Sequence, residues 1–139
     1  MKKTFLFSTT VFIVSLLIAG CSGKLYVEEM SANPSPASAG DEVISYIKLN
    51  KASDNIKSVK GTLREYSQIT IAFRNDGKGA DEKAGDNIWS KKTTVPYNAP
   101  SRKFHLDITI IDEEGRIIAT KEAKGEKVEK SGTISLVID

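Results

Sequence analysis

With one cysteine, one histidine and 20 basic against 18 acidic side chains in 139 residues, the chain has little from which to build a thiol, a multi-histidine metal or a nucleic-acid site. A nucleic-acid binder needs a basic stripe, and here the two signs are interspersed. The length suits one domain around one core.

The chain opens with Lys2 and Lys3, followed by an apolar run from Phe5 to Ile18 broken only by Ser8, Thr9, Thr10 and Ser15. This is the layout of a secretory signal, too short and wrongly flanked for a spanning helix. The stretch Ile18-Ala19-Gly20-Cys21 resembles the lipobox of bacterial lipoproteins. That resemblance implies removal of residues 1–20, a covalent lipid on Cys21, a lipidated tether over 21–24 and a domain over 25–139. The membrane is then a partner through the N-terminal lipid. Several acyl chains on one cysteine anchor stably where a single myristoyl chain is marginal. Losing residues 1–20 removes two lysines and no acid, so the mature chain has a formal net charge of zero and no electrostatic attraction to anionic lipid. The expected location is the bacterial cell envelope. Ser22 stands where an Asp favours inner-membrane retention in enterobacterial sorting, so the outer membrane is expected if the cell has one. With Cys21 consumed by lipid, the folded part has no thiol for a disulfide or nucleophile.

Beyond the tether the chain is patterned for strands. Leu25 to Met30 is a short β-prone edge segment, and Asn33-Pro34-Ser35-Pro36 then interrupts it, as in an edge strand that breaks or changes sheets. Val43, Ser45, Ile47 and Leu49 alternate with Ile44, Tyr46 and Lys48, and Val59, Gly61 and Leu63 alternate with Lys60, Thr62 and Arg64. The cleanest alternation is Ser67 to Arg74, with Ile69, Ile71 and Phe73 expected inward. After a Gly- and Asp-rich loop over 75–87, Ile88 to Val95 is a strand with Trp89, Thr93 and Val95 inward, a pattern Lys91 spoils. Phe104, Leu106, Ile108 and Ile110 share a face opposite His105, Asp107 and Thr109. Asp112-Glu113-Glu114-Gly115 is expected to close a hairpin into a strand over 116–122, and Ile134, Leu136 and Ile138 share a face of the last strand. Seven or eight short strands with turns between them predict an all-β sandwich.

Two stretches resemble bacterial immunoglobulin-like (fibronectin III-like) domains. One runs from Ser31 to Glu65, with Asn-Pro-Ser-Pro-Ala-Ser-Ala-Gly-Asp and then Ile-Lys-Ser-Val-Lys-Gly-Thr-Leu; the other is the run from Asn75 to Ser90, followed by Val95-Pro96, Ala99-Pro100 and Phe104-His105-Leu106. The resemblance implies an immunoglobulin-like antiparallel β-sandwich. It is nearly silent on activity, since such sandwiches host unrelated roles. Asn75 stands in place of an Asp, and Ala80 and Asn87 stand where Gly is usual, Asn87 retaining access to positive φ. Phe104 takes the place of a corner tyrosine, leaving that corner to packing alone.

Among candidate sites, Asp76, Asp81 and Asp86 lie five residues apart in the glycine-rich loop. They either fold around calcium through carboxylate oxygens or cap turns as Asx residues do. The spacing is not that of an EF-hand, and Lys78 and Lys83 oppose a cation. Trp89 and Tyr97 are candidates for ligand contact by stacking, against a core role for the tryptophan. His105 is expected exposed, with Asp107 as its neighbour, and neither accompanies a nucleophile motif. The expected function is a non-enzymatic, lipid-anchored structural or protein-binding module with a protein or surface-polymer partner and no nucleic acid. The alternatives are a carbohydrate-binding or adhesin-type domain and an accessory subunit of an envelope secretion or filament complex.

Overall fold

The computed structural model describes residues 23–122 and 127–139. The expected signal segment, Cys21 and part of the charged run over 121–130 lie outside the described residues. Among the described residues, seven strands form two antiparallel sheets: β1 (Val27–Asn33), β2 (Glu42–Leu49), β3 (Ile56–Leu63), β4 (Thr70–Ala72), β5 (Ile88–Thr94), β6 (Arg102–Asp112) and β7 (Gly132–Ile138). One sheet has the order β1-β2-β5 and the other β4-β3-β6-β7. This is an all-β sandwich of two antiparallel sheets, compatible with an immunoglobulin-like arrangement, with its fourth strand on the β3 side.

The period-two pattern explains the layering. In β2, Val43, Ser45, Ile47 and Leu49 are buried while their neighbours are not. In β6, Phe104, Leu106, Ile108, Ile110 and Asp112 are buried in unbroken alternation. These two strands are the spines of their sheets, so their inward faces build the core. Ile47, Leu49, Val59, Phe73, Ile108, Ile110 and Ile118 fill one half of it, with Trp89 packed at its margin. A second cluster of Ala37, Val43, Val95, Phe104 and Ile138 closes the other end.

The proline segment does change sheets. β1 pairs with β2 as far as Asn33↔Ile44; the chain then passes Pro34 and Pro36, both after cis peptide bonds, and Ala37 bridges parallel to Ile138 of β7. The sandwich is thereby laced shut along its β1/β7 side.

Two expectations need correction. The Ser67–Arg74 stretch forms only the three-residue β4, and Ile69 is 44% exposed rather than inward. It lies at an opening of the sandwich, so an apolar alternation there does not mean burial. The segment after the 112–115 turn forms no strand, only the isolated bridges Ile111↔Ile117 and Val27↔Thr120. Asp112 fixes that turn instead: buried beneath it, its carboxylate accepts hydrogen bonds from the Glu114 and Arg116 amides and from the Arg116 guanidinium. Burial alone would push this carboxyl up, but the Arg116 donors outweigh it and hold the group below its ordinary range.

Candidate functional site

Each of the three loop aspartates accepts a backbone amide. Asp76 Oδ1 accepts the Lys78 amide at 3.1 Å, Asp81 Oδ2 accepts the Gly77 amide at 2.6 Å, and Asp86 Oδ1 accepts the Ile88 amide at 2.8 Å. Asp81 is 3% exposed while Asp76 faces Arg74 at 3.2 Å. Among the described residues no three His, Cys, Asp or Glu side chains converge as a metal-binding group. The left-handed positions in the loop are taken by Gly77, Gly79 and Gly85, and Asn87 has negative φ. Asn87 instead donates its side-chain amide to Leu49 O at 2.8 Å, tying the loop to the end of β2.

Trp89 and Tyr97 are not brought together. Trp89 sits opposite Ile47 on the inward face of β5 and packs against the filled half of the core. Tyr97 is 87% exposed, on the loop after β5. Its ring lies over Gly40, where a Cβ would come within 2.9 Å of the ring carbon Cε1.

His105 is half-buried, and its partner is Glu65 rather than Asp107. The imidazole Nδ1 lies 2.7 Å from Glu65 Oε1, and the His105 amide donates to Glu65 Oε2 at 3.0 Å. The backbone donor first, then the imidazole, hold the Glu65 carboxyl down at about 2. Asp107 is occupied by Arg64, Lys130 and Thr133, and the Arg64 guanidinium is the largest cause of its carboxyl lying far below the usual range. These groups cross-link β3, β6 and β7 on the outward sheet face. Sequence spacing paired His105 with Asp107 because both point outward, but Glu65 arrives from the turn after β3, which no spacing rule reveals.

An apolar cleft lies between the sheets. Its volume is about 430 Å³, within the usual range of small-molecule pockets. The edges of β4 and β5 are zipped at Arg74↔Ser90 by a pair of backbone hydrogen bonds of 3.0 and 2.9 Å. Beyond that bridge they part. Tyr66, Ile69 and Ile71 form one lip and Thr93 and Thr94 the other. Val43, Leu106, Ile134 and Ile138 floor the cleft, Pro96, Asn98, Ala99 and Pro100 roof it, and among the described residues no charged side chain lines it. The sequence cause is a run of short side chains at inward positions: Ala32, Ser45 and Ala99 sit where larger residues would fill the gap. The short β4 leaves the entrance uncovered.

The cleft and the start of the described chain lie at opposite ends of the β1-β2-β5 sheet. Val27 pairs with Leu49 at one end, while Ala32 and Val43 lie at the other. The six steps of β2 from Leu49 to Val43 span about 20 Å. Asn50 fixes the segment before β1: its Oδ1 accepts the Tyr26 amide at 2.9 Å, its Nδ2 donates to Lys24 O at 3.2 Å, and its own amide donates to Tyr26 O at 3.1 Å.

No protein-family profile matches this chain, and no curated protein matches it. Among solved structures, it is similar to an alkylpurine DNA glycosylase, AlkC, of Pseudomonas fluorescens bound to DNA containing an abasic site analog, with a TM-score of 0.46 and 8% identity over 82% of this chain. This chain spans 30% of the glycosylase chain. It is also similar to a Niemann-Pick type C2 protein from Japanese carpenter ant, with a TM-score of 0.41 and 12% identity over 84% of this chain and 90% of that one.

Proposed function

We propose that this chain is a non-enzymatic binding module of a bacterial cell envelope, anchored by acyl chains on Cys21 and recognising its ligand or partner at the far end of the sandwich. The observation that carries the reading is the polarity of the domain. The described chain starts beside Asn50, while exposed Tyr97 and the mouth of the apolar cleft lie toward the other end. A rigid sandwich of this kind holds a recognition surface clear of the bilayer. The reading without catalysis is supported by chemistry: His105 is held by Glu65 on an outward strand face and does not line the apolar cleft.

The test is metabolic labelling with a palmitate analogue in bacterial cells. Wild-type protein takes up label and stays with membranes, whereas Cys21→Ala is unlabelled and leaves the membrane fraction. A Cys21→Ala variant that stays labelled contradicts the reading. Carbohydrate recognition is a second reading, favoured by the exposure of Tyr97, since sugar rings stack on aromatic faces. Glycan-array binding lost in Tyr97→Ala supports it, and an array without binding removes it.

A further inference from the structure

We infer that the inter-sheet cleft is a binding site for a single long-chain carboxylic acid, its hydrocarbon tail between the sheets and its carboxylate at Lys91. This names the ligand of the binding-module reading and rests on that reading for its setting.

Three observations carry it. First, the cleft is too large and too apolar to be spare volume. Protein interiors pack like organic crystals, and a dry apolar cavity of roughly 150 Å³ already takes up benzene; this one is about 430 Å³ with no charged lining among the described residues. Its shape is bounded by the two sheets, which suits an unbranched chain entering edgewise between β4 and β5.

Second, the strand that supplies one lip also carries a cation on its inward side. Lys91 pairs with Ser45 in the β2–β5 register, and Ser45 lines the cleft. Directly paired residues of neighbouring strands point to the same face with Cβ atoms about 5 Å apart. Lys91 therefore starts from the inward face of an edge strand and is half-buried. No acid of the described residues forms an ion pair with it, whereas its neighbour Lys92 is paired with Glu42 at 3.2 Å. Neutral polar groups at Tyr66, Thr93, Thr94 and Asn98 complete a polar rim around an apolar interior.

Third, other occupants fit less well. An inward-pointing lysine on an edge strand opposes the addition of a further strand, so a peptide or a second copy meets an obstacle where a carboxylate meets a partner. The protein's own acyl chains start from Cys21, six residues before Val27. The described chain enters beside Asn50, at the sheet end remote from the cleft, and acyl chains on Cys21 would start from that side.

The experiment uses full-length lipidated protein in isolated bacterial membranes and adds a photoreactive diazirine analogue of palmitic acid, with the matching diazirine fatty alcohol as the neutral probe. After irradiation the protein is digested and the labelled peptides are mapped. The inference expects label within residues 61–73 and 91–106. Thr93→Trp, which plugs the mouth from a solvent-exposed position, lowers both probes' labelling about tenfold while a thermal melt shows the fold intact. Lys91→Met lowers acid-probe labelling roughly threefold to tenfold and leaves alcohol labelling unchanged, as expected for loss of a partly solvated charge-assisted contact. Equal loss of both probes in Lys91→Met overturns the carboxylate assignment. Cleft peptides without label, or labelling unchanged by Thr93→Trp, overturns the site, as does an unlabelled cleft in protein that chemical crosslinking traps as a dimer. Acylation of Cys21 is read separately by metabolic labelling, so an unoccupied cleft on an acylated protein and an occupied cleft on an unacylated one are distinct results.

Discussion

Gly61 carries a prediction that joins packing to the cleft. It lies midway along β3 with negative φ, so backbone conformation does not demand glycine there. Space does: a Cβ at this position would meet Leu106 Cγ at 2.7 Å and both its δ carbons at 2.9 Å. Carbon pairs prefer about 3.5–4.0 Å, so Leu106 must retreat by close to ~1 Å. Overpacking of this kind costs about 1–3 kcal/mol. Alanine recovers about 0.5–1 kcal/mol because glycine is the poorer strand residue. Gly61→Ala is thus expected to lose about 1 kcal/mol, which for a domain of this size lowers Tm by roughly 5 °C. Leu106 also floors the cleft, so its retreat consumes cleft volume. The assay is urea unfolding of Gly61→Ala, Leu106→Val and the double variant. Leu106→Val alone costs stability, and in the double variant the two effects are less than additive by about 1 kcal/mol. A Gly61→Ala protein as stable as wild type, with additive behaviour in the double variant, refutes the close approach of Leu106 to Gly61.

The Glu65–His105 pair makes stability depend on pH. Glu65 titrates at about 2 in the folded protein, below the roughly 4.3 of an unfolded glutamate. Its contribution is therefore fully present above the unfolded value and is lost as pH falls through that window toward the folded one. Glu65→Gln is expected to unfold at lower urea than wild type at neutral pH, with the gap closing as the pH falls toward about 2; a gap that widens on acidification contradicts the pairing. The aspartate loop is expected to be indifferent to calcium, because Asp76, Asp81 and Asp86 each already accept a backbone amide. Differential scanning fluorimetry in calcium and in chelator then gives the same Tm, and a rise with calcium shows that the loop rearranges around the ion.

What was legible in the sequence follows from where one residue's environment depends on its own strand. The alternation in β2 and β6 predicted their buried faces correctly because each is an interior strand with a paired neighbour on both sides. The prolines at 34 and 36 announced the change of sheet for the same local reason. At the edges the rule failed. Ile69 continues a flawless alternation yet borders an opening, since only the neighbouring β5 edge could cover it and the two edges part beyond Ser90. Lys91 looked like an error in an inward pattern; the register shows that it does share the inward side, and the open edge gives its ammonium a route out. The cleft itself was illegible because it results from short side chains on separate strands and loops, Ala32, Ser45 and Ala99, that meet only after folding.

The account stands on a sandwich held at its Val27 end and open to an apolar ligand at its Val43 end. Hydrogen–deuterium exchange on the lipidated protein in bilayer nanodiscs, with and without added palmitate, tests this most directly. Palmitate is predicted to slow exchange in residues 66–73 and 91–100 and to leave residues 24–30 and 47–51 unchanged. Slowing confined to the tether end, or no change anywhere, contradicts it.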